Sequence, residues 1–560
     1  MAHTTPSRAQ ISKSAIRRIH VEMRHLLVRG SYKPMGRSGE AMLQALHAIN
    51  PEIYGTLTDP EHVELEGLLY VFQRLPRGIE QCRYIQLISR EGYEDTGFQA
   101  IIPAKRRRNC YRIDEEQMLI EMTRGGSDVY DVLTHLTFMY NEAEKIGRNA
   151  LNNRRVPTRT WKMLSKIVKL EKLSKEQERV AVSYLSTLLG RTFNDTWEAL
   201  QDFRKANGIN SLYSICYWLG KLSIEETLEK NDREISFSTA LREQIGHHTF
   251  GEQWAHRVKQ KLEELNLLGR RIHIISANMH SVMNSVYAKK ALGRSYSKDG
   301  LISTAEKLSA PDQSKLRDKV NKFALSNGLT EVKDISGTNI SVQIIDLCKV
   351  NMKDLPIELS SITKRKSCED VLVVMDYAFG EQAYETMDEL LKAYEVDGRK
   401  TAINIGSVNI MGKAGILEGK KGDIMIPTAH IFEGSTDNYV FENDLNPKEL
   451  KKYGLPVFVG PMITVLGTSL QNRDILSYFL KSSWSAIGLE MEGAHYQKAI
   501  QVASKIRKNV AEDLKIRYAY YASDNPLESG STLASGSLGL DGVESTYAIT
   551  LEILKGIYKQ

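Results

Sequence analysis

Gly488-Leu489-Glu490-Met491-Glu492-Gly493-Ala494 opens a helix behind a strand-like segment, and one strand further on the apolar run Ile516–Ala522 ends in Ser523-Asp524-Asn525-Pro526. Two acidic clusters thus stand at the ends of two β-type segments. Around them, short β-rich runs alternate with helical ones from about residue 255 onward, the texture of an α/β sheet. The strands are read at Arg271–Ser276, Ile340–Ile345, Val371–Met375, Thr401–Ile405, Ser407–Met411, Asp423–Ile426 and Ile516–Ala522, with helices over Gln382–Tyr394 and Leu489–Ala503 between them. A last helix presents Val543, Tyr547, Leu551, Leu554 and Tyr558 on one face. Residues 290–335 read as a polar, partly helical insertion between the first two strands. In open α/β sheets ligands sit outside the carboxyl ends of the strands. Those ends hold Asn278 and His280, then Asp376 to Gly380, then a glycine turn at Gly412-Lys413-Ala414-Gly415, then Asp524.

Residues 1–255 have another texture, helix after helix, with few β-type segments, one pair of which flanks residues 92–103. Gly126-Ser127-Asp128 is read as the cap of an apolar stripe at Val129, Val132, Leu133, Leu136, Met139, Tyr140 and Ala143, at helical spacing. Ser174-Lys175-Glu176-Gln177 is a capping-box pattern. The chain is therefore expected to form a mainly helical domain over 1–255, of unknown role, and an α/β domain over 256–560.

Composition excludes several classes. With 560 residues, 42% hydrophobic and 26% charged, the chain has an ordinary globular make-up and length for about three domains, or two large ones. Its net charge of +6 does not by itself call for nucleic acid. Lys105-Arg106-Arg107-Arg108 is the densest basic run; it reads as a solvated loop or a subunit contact, with phosphate or nucleic acid as the sharper alternative, and no aromatic residues interleave it for base stacking. No run is apolar enough to span a bilayer, and the beginning, without an apolar segment, does not read as a secretory signal. The five cysteines, Cys82, Cys110, Cys216, Cys348 and Cys368, form no CxxC pair, so neither a disulfide framework nor a zinc site is expected and a reducing cytoplasm is the simplest compartment. His247-His248 lacks a ligand partner at metal spacing. No metal or cofactor is expected. The tryptophans, Trp161, Trp197, Trp218, Trp254 and Trp484, read as core.

The Glu-Met-Glu helix start followed by Ser-Asp-x-Pro resembles the purine nucleoside phosphorylase/nucleosidase superfamily, and within it the AMP nucleosidase-like members. Phe379-Gly380-Glu381-Gln382-Ala383, Gly412-Lys413-Ala414-Gly415, Gly422-Asp423-Ile424-Met425-Ile426-Pro427, Gly434 to Tyr439 and Thr468-Ser469-Leu470-Gln471-Asn472-Arg473 fall in the order that family has. The resemblance covers about residues 270–560 and implies a nucleoside-phosphorylase-like mixed sheet flanked by helices, a purine nucleoside or nucleotide substrate and a homo-oligomer. It implies that Asp524 protonates the leaving base, that Glu492 binds the ribose hydroxyls and stabilises an oxocarbenium-like sugar, and that Met491 packs on the sugar. Asn278, His280, Gly380, Lys413, Gly415, Leu470 and Arg473 are the further substrate-binding candidates. The chemistry suits those residue types: an acid near N7 must remain protonated near neutrality, which desolvation or a neighbouring anion achieves. Phosphorylases of that superfamily carry an Arg two residues before the central glycine, where this chain has Ile410, so water is the favoured nucleophile and AMP the leading substrate. A phosphorylase, or a nucleotide sensor that has lost the chemistry, is the alternative.

Each motif also has a plainer reading. Acids favour helix starts because of the dipole. Asp524 before Asn-Pro can initiate a turn. The two glycines can be turn residues only, Lys413 a solvated lysine, His280 and Asn278 loop polarity, and Asn472-Arg473 a surface helix start.

Overall fold

The computed structural model describes residues 6–106, 108–170, 173–247, 249–361, 369–433, 435, 437–467, 470–528 and 539–560. The chain divides into two compact units, one formed by Met1–His247 with Ser469–Ile475, the other by His248–Thr468 with Leu476–Gln560. Gly434, Thr436, Thr468, Ser469, His248, Arg107 and Cys368, all named above, lie outside the described residues.

The first unit is not helices alone. It contains strands β1 (Ser31–Tyr32), β2 (Tyr84–Ile88), β3 (Cys110–Arg112), β4 (Gln117–Glu121) and β5 (Glu234–Phe237), in the spatial order β1-β5-β2-β4-β3. The inner strands β5, β2 and β4 run parallel, and β1 and β3 close the edges antiparallel. The β-type segments expected to flank 92–103 are β2 and β3, which pair not with each other but each with β4. These strands are two to five residues long, too short to show a period-two pattern, which is why the sequence reads as helical. The 26-residue helix Gly125–Ala150 packs on Leu212–Glu229 and is buried on nearly every side, including the stripe from Val129 to Ala143. Ser174 and Gln177 form the capping box expected of them.

The second unit is built on a ten-stranded sheet. Its strands are β6 (Ile272–Ser276), β7 (Leu329–Val332), β8 (Val342–Asp346), β9 (Val371–Met375), β12 (Ile405–Ile416), β13 (Ile424–Phe432), β14 (Asn438–Val440), β15 (Val457–Thr464), β16 (Gly488–Glu490) and β17 (Lys515–Asp524), while β10 (Tyr394–Val396) and β11 (Arg399–Thr401) form a separate hairpin. The order is β14-β13-β15-β16-β12-β6-β9-β8-β7, and β17 pairs with both β12 and β13. The pairings β12–β17, β17–β13, β13–β15, β15–β16 and β16–β12 therefore close a ring of strands. Closure leaves no free edge along that ring.

Two sequence expectations are corrected here. Thr401–Ile405 is not one strand: the chain turns at Asp397-Gly398, both at positive φ (48° and 75°), the two-residue hairpin turn that Asp-Gly favours, and β12 begins only at Ile405. Gly412 to Gly415 is not a turn after a strand either. It lies within the 12-residue β12, where Lys413 is opposite Tyr521 and Gly415 is opposite Asp524. Glycine here spares space, since a Cβ on Gly412 would stand 2.9 Å from the Tyr520 ring.

Alternate residues of β12 and β17 enter different cores, as a strand's pleat requires. Met411, Ala519 and Tyr521 join a cluster with the helices Met279–Leu292, Leu301–Ser309 and Val543–Tyr558; Ile410, Ala414, Tyr518 and Tyr520 join a second one. The insertion at 290–335 supplies two helices and β7 to the first. Trp161 and Trp254 are core residues, whereas Trp484 is 40% exposed. Among the described residues no helix is long and apolar enough to cross a membrane.

Candidate active site

Three strand ends meet around Gly415. On one side it pairs with Asp524, the last residue of β17, and on the other with Leu489 of β16. The register slips between Ala414 and Gly415 because Ser523 is an extra residue on β17. The Ser523 hydroxyl lies 2.6 Å from Asp524 Oδ1 and 3.1 Å from the carbonyl of Ala414. The bulge turns Asp524 inward: the residue is buried, and among the described residues Oδ2 has no hydrogen-bond partner. Burial pushes its carboxyl pKa up; the Ser523 hydroxyl and the Lys413 charge pull it down by less.

β16 ends at Glu490, and the helix starts at Gly493, later than the sequence suggests, with Glu492 as its N-cap residue. Glu490 is spent on structure. Its Oε2 accepts the N–H groups of Glu492 and Gly493, and its Oε1 accepts the hydroxyl of Thr464, which itself accepts from Ala494 N at 2.9 Å. Burial, then the neighbouring Glu492 charge, raise the Glu490 carboxyl to about 8, against the pull of its three hydrogen-bond donors. The sequence shows Glu490 as a member of the Glu-Met-Glu motif but not its structural role, which depends on Thr464 of another strand. Sequence reading passed over His430, buried on β13, whose Nε2 is 3.2 Å from the Tyr520 hydroxyl and whose Nδ1 has no hydrogen-bond partner among the described residues. Burial alone lowers His430 to about 3, so its ring is neutral.

Glu492 is half-buried. Its Oε1 accepts Gly380 N at 3.1 Å and its Oε2 accepts Met491 N at 3.3 Å. Gly380, after β9, has a φ of 56°, the left-handed backbone that a side chain resists, and this aims its N–H at Glu492. Met491 beside it is half-buried.

Asn278, His280 and Lys413, all exposed, line a cavity of about 690 Å³ together with Tyr521, Gln343 and Asn321. Asn278 also caps the helix Met279–Leu292 by accepting His280 N at 3.0 Å. Two amide oxygens of this cavity, on Gln343 and Asn321, are buried without a partner among the described residues. Lys413 thus relates the two groups of residues: it lines the cavity and its charge acts on Asp524. Leu470 and Arg473 belong instead to the segment counted with the first unit, where Asn472 Nδ2 donates to Ile49 O at 2.6 Å and Arg473 N donates to Glu52 Oε1 at 3.0 Å.

A closed ring of strands, with a buried carboxyl at one strand end and a half-buried one at the adjoining helix start, defines this unit as an α/β protein. The chain belongs to the family of unknown function DUF6909, whose profile matches residues 40–307 and 303–559. Comparison with curated proteins gave no match. Among solved structures it is similar to the 5′-methylthioadenosine/S-adenosyl homocysteine nucleosidase of Campylobacter jejuni, with 13% identity over 52% of this chain and 100% of that one and a TM-score of 0.31. It is also similar to futalosine hydrolase of Helicobacter pylori (12%, 51% and 97%, TM-score 0.30) and to AMP nucleosidase of Bacteroides thetaiotaomicron (15%, 55% and 96%, TM-score 0.29).

Proposed function

We propose that the chain hydrolyses the N-glycosidic bond of a purine nucleoside or nucleotide, with AMP as the leading substrate. The observation that supports this most is Asp524, a buried carboxyl with raised proton affinity and an unpartnered oxygen at the end of β17. Asp524 gives its proton to N7 as the bond from C1′ to N9 breaks, which leaves a neutral base as the leaving group. Glu492 holds the ribose hydroxyls and offers negative charge to the developing cation, and Met491 packs against the sugar. Water adds its oxygen to C1′, and the proton it releases replaces the one Asp524 gave. Lys413 holds the 5′-phosphate as a point charge, with His280 and Asn278 beside it as hydrogen-bonding groups and Gly380 and Gly415 lining the backbone approach. Ile410 is a buried apolar residue on β12, so that position offers no guanidinium to a phosphate nucleophile.

The test is to incubate the chain with AMP, adenosine, inosine and methylthioadenosine and to measure free base with and without phosphate. Release from AMP without phosphate is the expected result. Strict phosphate dependence would make the protein a phosphorylase, and no release from any substrate by folded protein would end the enzyme reading. A second reading, a nucleotide sensor without turnover, is favoured by the two backbone N–H groups that already occupy Glu492. It predicts that AMP raises the melting temperature while no base is released.

A further inference from the structure

The cavity of about 690 Å³ in the second unit extends to residues that the glycosidic reaction does not use. Part of its wall comes from the insertion at 290–335. There the helix Ser314–Ser326 contributes Asp318 and Asn321, and β7 contributes Glu331. Asp318 and Asn321 are three residues apart and share a face of that helix. Glu331 is directly opposite Gln343 of β8, and opposite residues of an antiparallel pair point to one face of the sheet. One helix and two strands thus bring four side chains with acceptor oxygens to a single cavity.

These oxygens lack donors. Gln343 is 5% exposed, and its Oε1 is buried with no hydrogen-bond partner among the described residues; Asn321 Oδ1 is in the same state. A buried amide oxygen without a donor costs about 1–3 kcal/mol. Asp318 and Glu331 are exposed, and neither has an ion pair among the described residues. Lys413 lines the cavity but is within ion-pair distance of neither carboxylate. Arg317 lines it too, and directs its N–H groups to backbone: Nη1 donates to Leu308 O and Ala310 O, each at 2.7 Å, and Nη2 to Pro311 O at 3.3 Å. The contrast is with Arg108 of the basic run, which is no solvated side chain: it is 3% exposed and pairs with Asp128 at 2.6 Å and Asp131 at 3.2 Å. Met283, Leu308 and Val543 add apolar surface to the same cavity.

We propose that this wall binds the primary ammonium group of an aliphatic amine. Gln343 Oε1 and Asn321 Oδ1 accept two of its N–H donors, the carboxylates of Asp318 and Glu331 supply counter-charge, and the apolar residues hold its carbon chain. An ammonium has three donors and no acceptor, so it meets a wall of oxygens without leaving a lone pair of its own unmatched. A hydroxyl has one donor and leaves one amide oxygen unpaired, and a water molecule brings no charge to the carboxylates. The site is independent of the glycosidic reading, since its occupancy is read without turnover.

Calorimetric titration of the full chain with putrescine tests it, with butane-1,4-diol as the uncharged ligand of the same length. Saturable binding of putrescine and none of the diol at the same concentrations is expected. Gln343→Met should weaken putrescine binding by about tenfold or more, because a hydrogen bond to a charged donor is lost. It should melt no lower than the wild type in amine-free buffer, because an oxygen without a donor is gone. If Gln343→Met does not fold, the exposed Glu331→Gln gives the comparison, with a loss of about two- to fivefold. Absence of saturable putrescine binding, diol binding as tight as putrescine, or undiminished affinity in the variant that folds would overturn the proposal.

Discussion

Asp524 is a residue whose chemistry depends on what the fold withholds from it. The serine bulge turns it away from solvent, one carboxyl oxygen has no partner among the described residues, and burial favours the protonated form. Because its folded pKa is raised, the stability tied to its proton is present below about 4 and is lost as pH rises through the raised value. Asp524→Asn keeps the shape and has no charge to bury, so at pH 8 it should melt no lower than the wild type in a thermal scan; a clear fall would mean the carboxylate is stabilised by contacts beyond Ser523 and Lys413. Glu490 is the contrasting case. The sequence shows it two residues from Glu492 as an equal member of a motif. Only the fold separates them, by placing Glu490 between Thr464 and two backbone donors and leaving Glu492 half-buried at the helix start. Glu492 and Asp524 were legible from their motif. His430 and Glu490 were not, since what makes them unusual is burial among strands distant in sequence.

The elements explain which readings held and which did not. β6, β9 and β17 are runs rich in β-branched and aromatic residues, and they were readable to within two residues at either end. β12 was not, because Gly412 and Gly415 read as punctuation; in a strand that pairs with β6, β16 and β17, glycine instead admits the Tyr520 ring and the close neighbours around Gly415. The helix after β16 begins at Gly493 for a similar reason. A Cβ there would meet the His430 ring and stand 2.8 Å from Glu490 Oε1. Gly493→Ala should therefore lower stability by about 1–3 kcal/mol, read as a lower urea midpoint with unchanged slope. An unchanged midpoint would show that the His430 pocket yields freely. The helix Gly125–Ala150 teaches the converse: its apolar stripe was legible, but its start was misread because Asp128 caps nothing and pairs with Arg108 from another strand's approach.

Across the chain, buried groups set a pH dependence of stability whose parts have opposite signs. His47, His135, His273 and His430 have lowered values, so their contribution is lost as pH falls below about 6.5. Glu490, raised from 4.5 to about 8, acts the other way: its contribution is complete below 4.5 and is lost as pH rises toward 8. Between pH 6.5 and 8 the last part of the histidine contributions is still being gained, equally in wild type and a Glu490 variant, while that of Glu490 is falling. Wild-type stability should decline there by up to about 2 kcal/mol relative to Glu490→Gln, the isostere of the protonated acid, in urea titrations at the two pH values. Parallel behaviour of the two proteins would mean Glu490 ionises in the folded chain as it does unfolded. The central claim is that Asp524 delivers the proton on which base departure depends. Chromatographic measurement of adenine released from AMP by the wild type and by Asp524→Asn at one pH tests it most directly. The account predicts release by the wild type and a loss of about 10²–10⁴-fold in the variant, the range of a general acid; equal rates of release from the two folded proteins would contradict it.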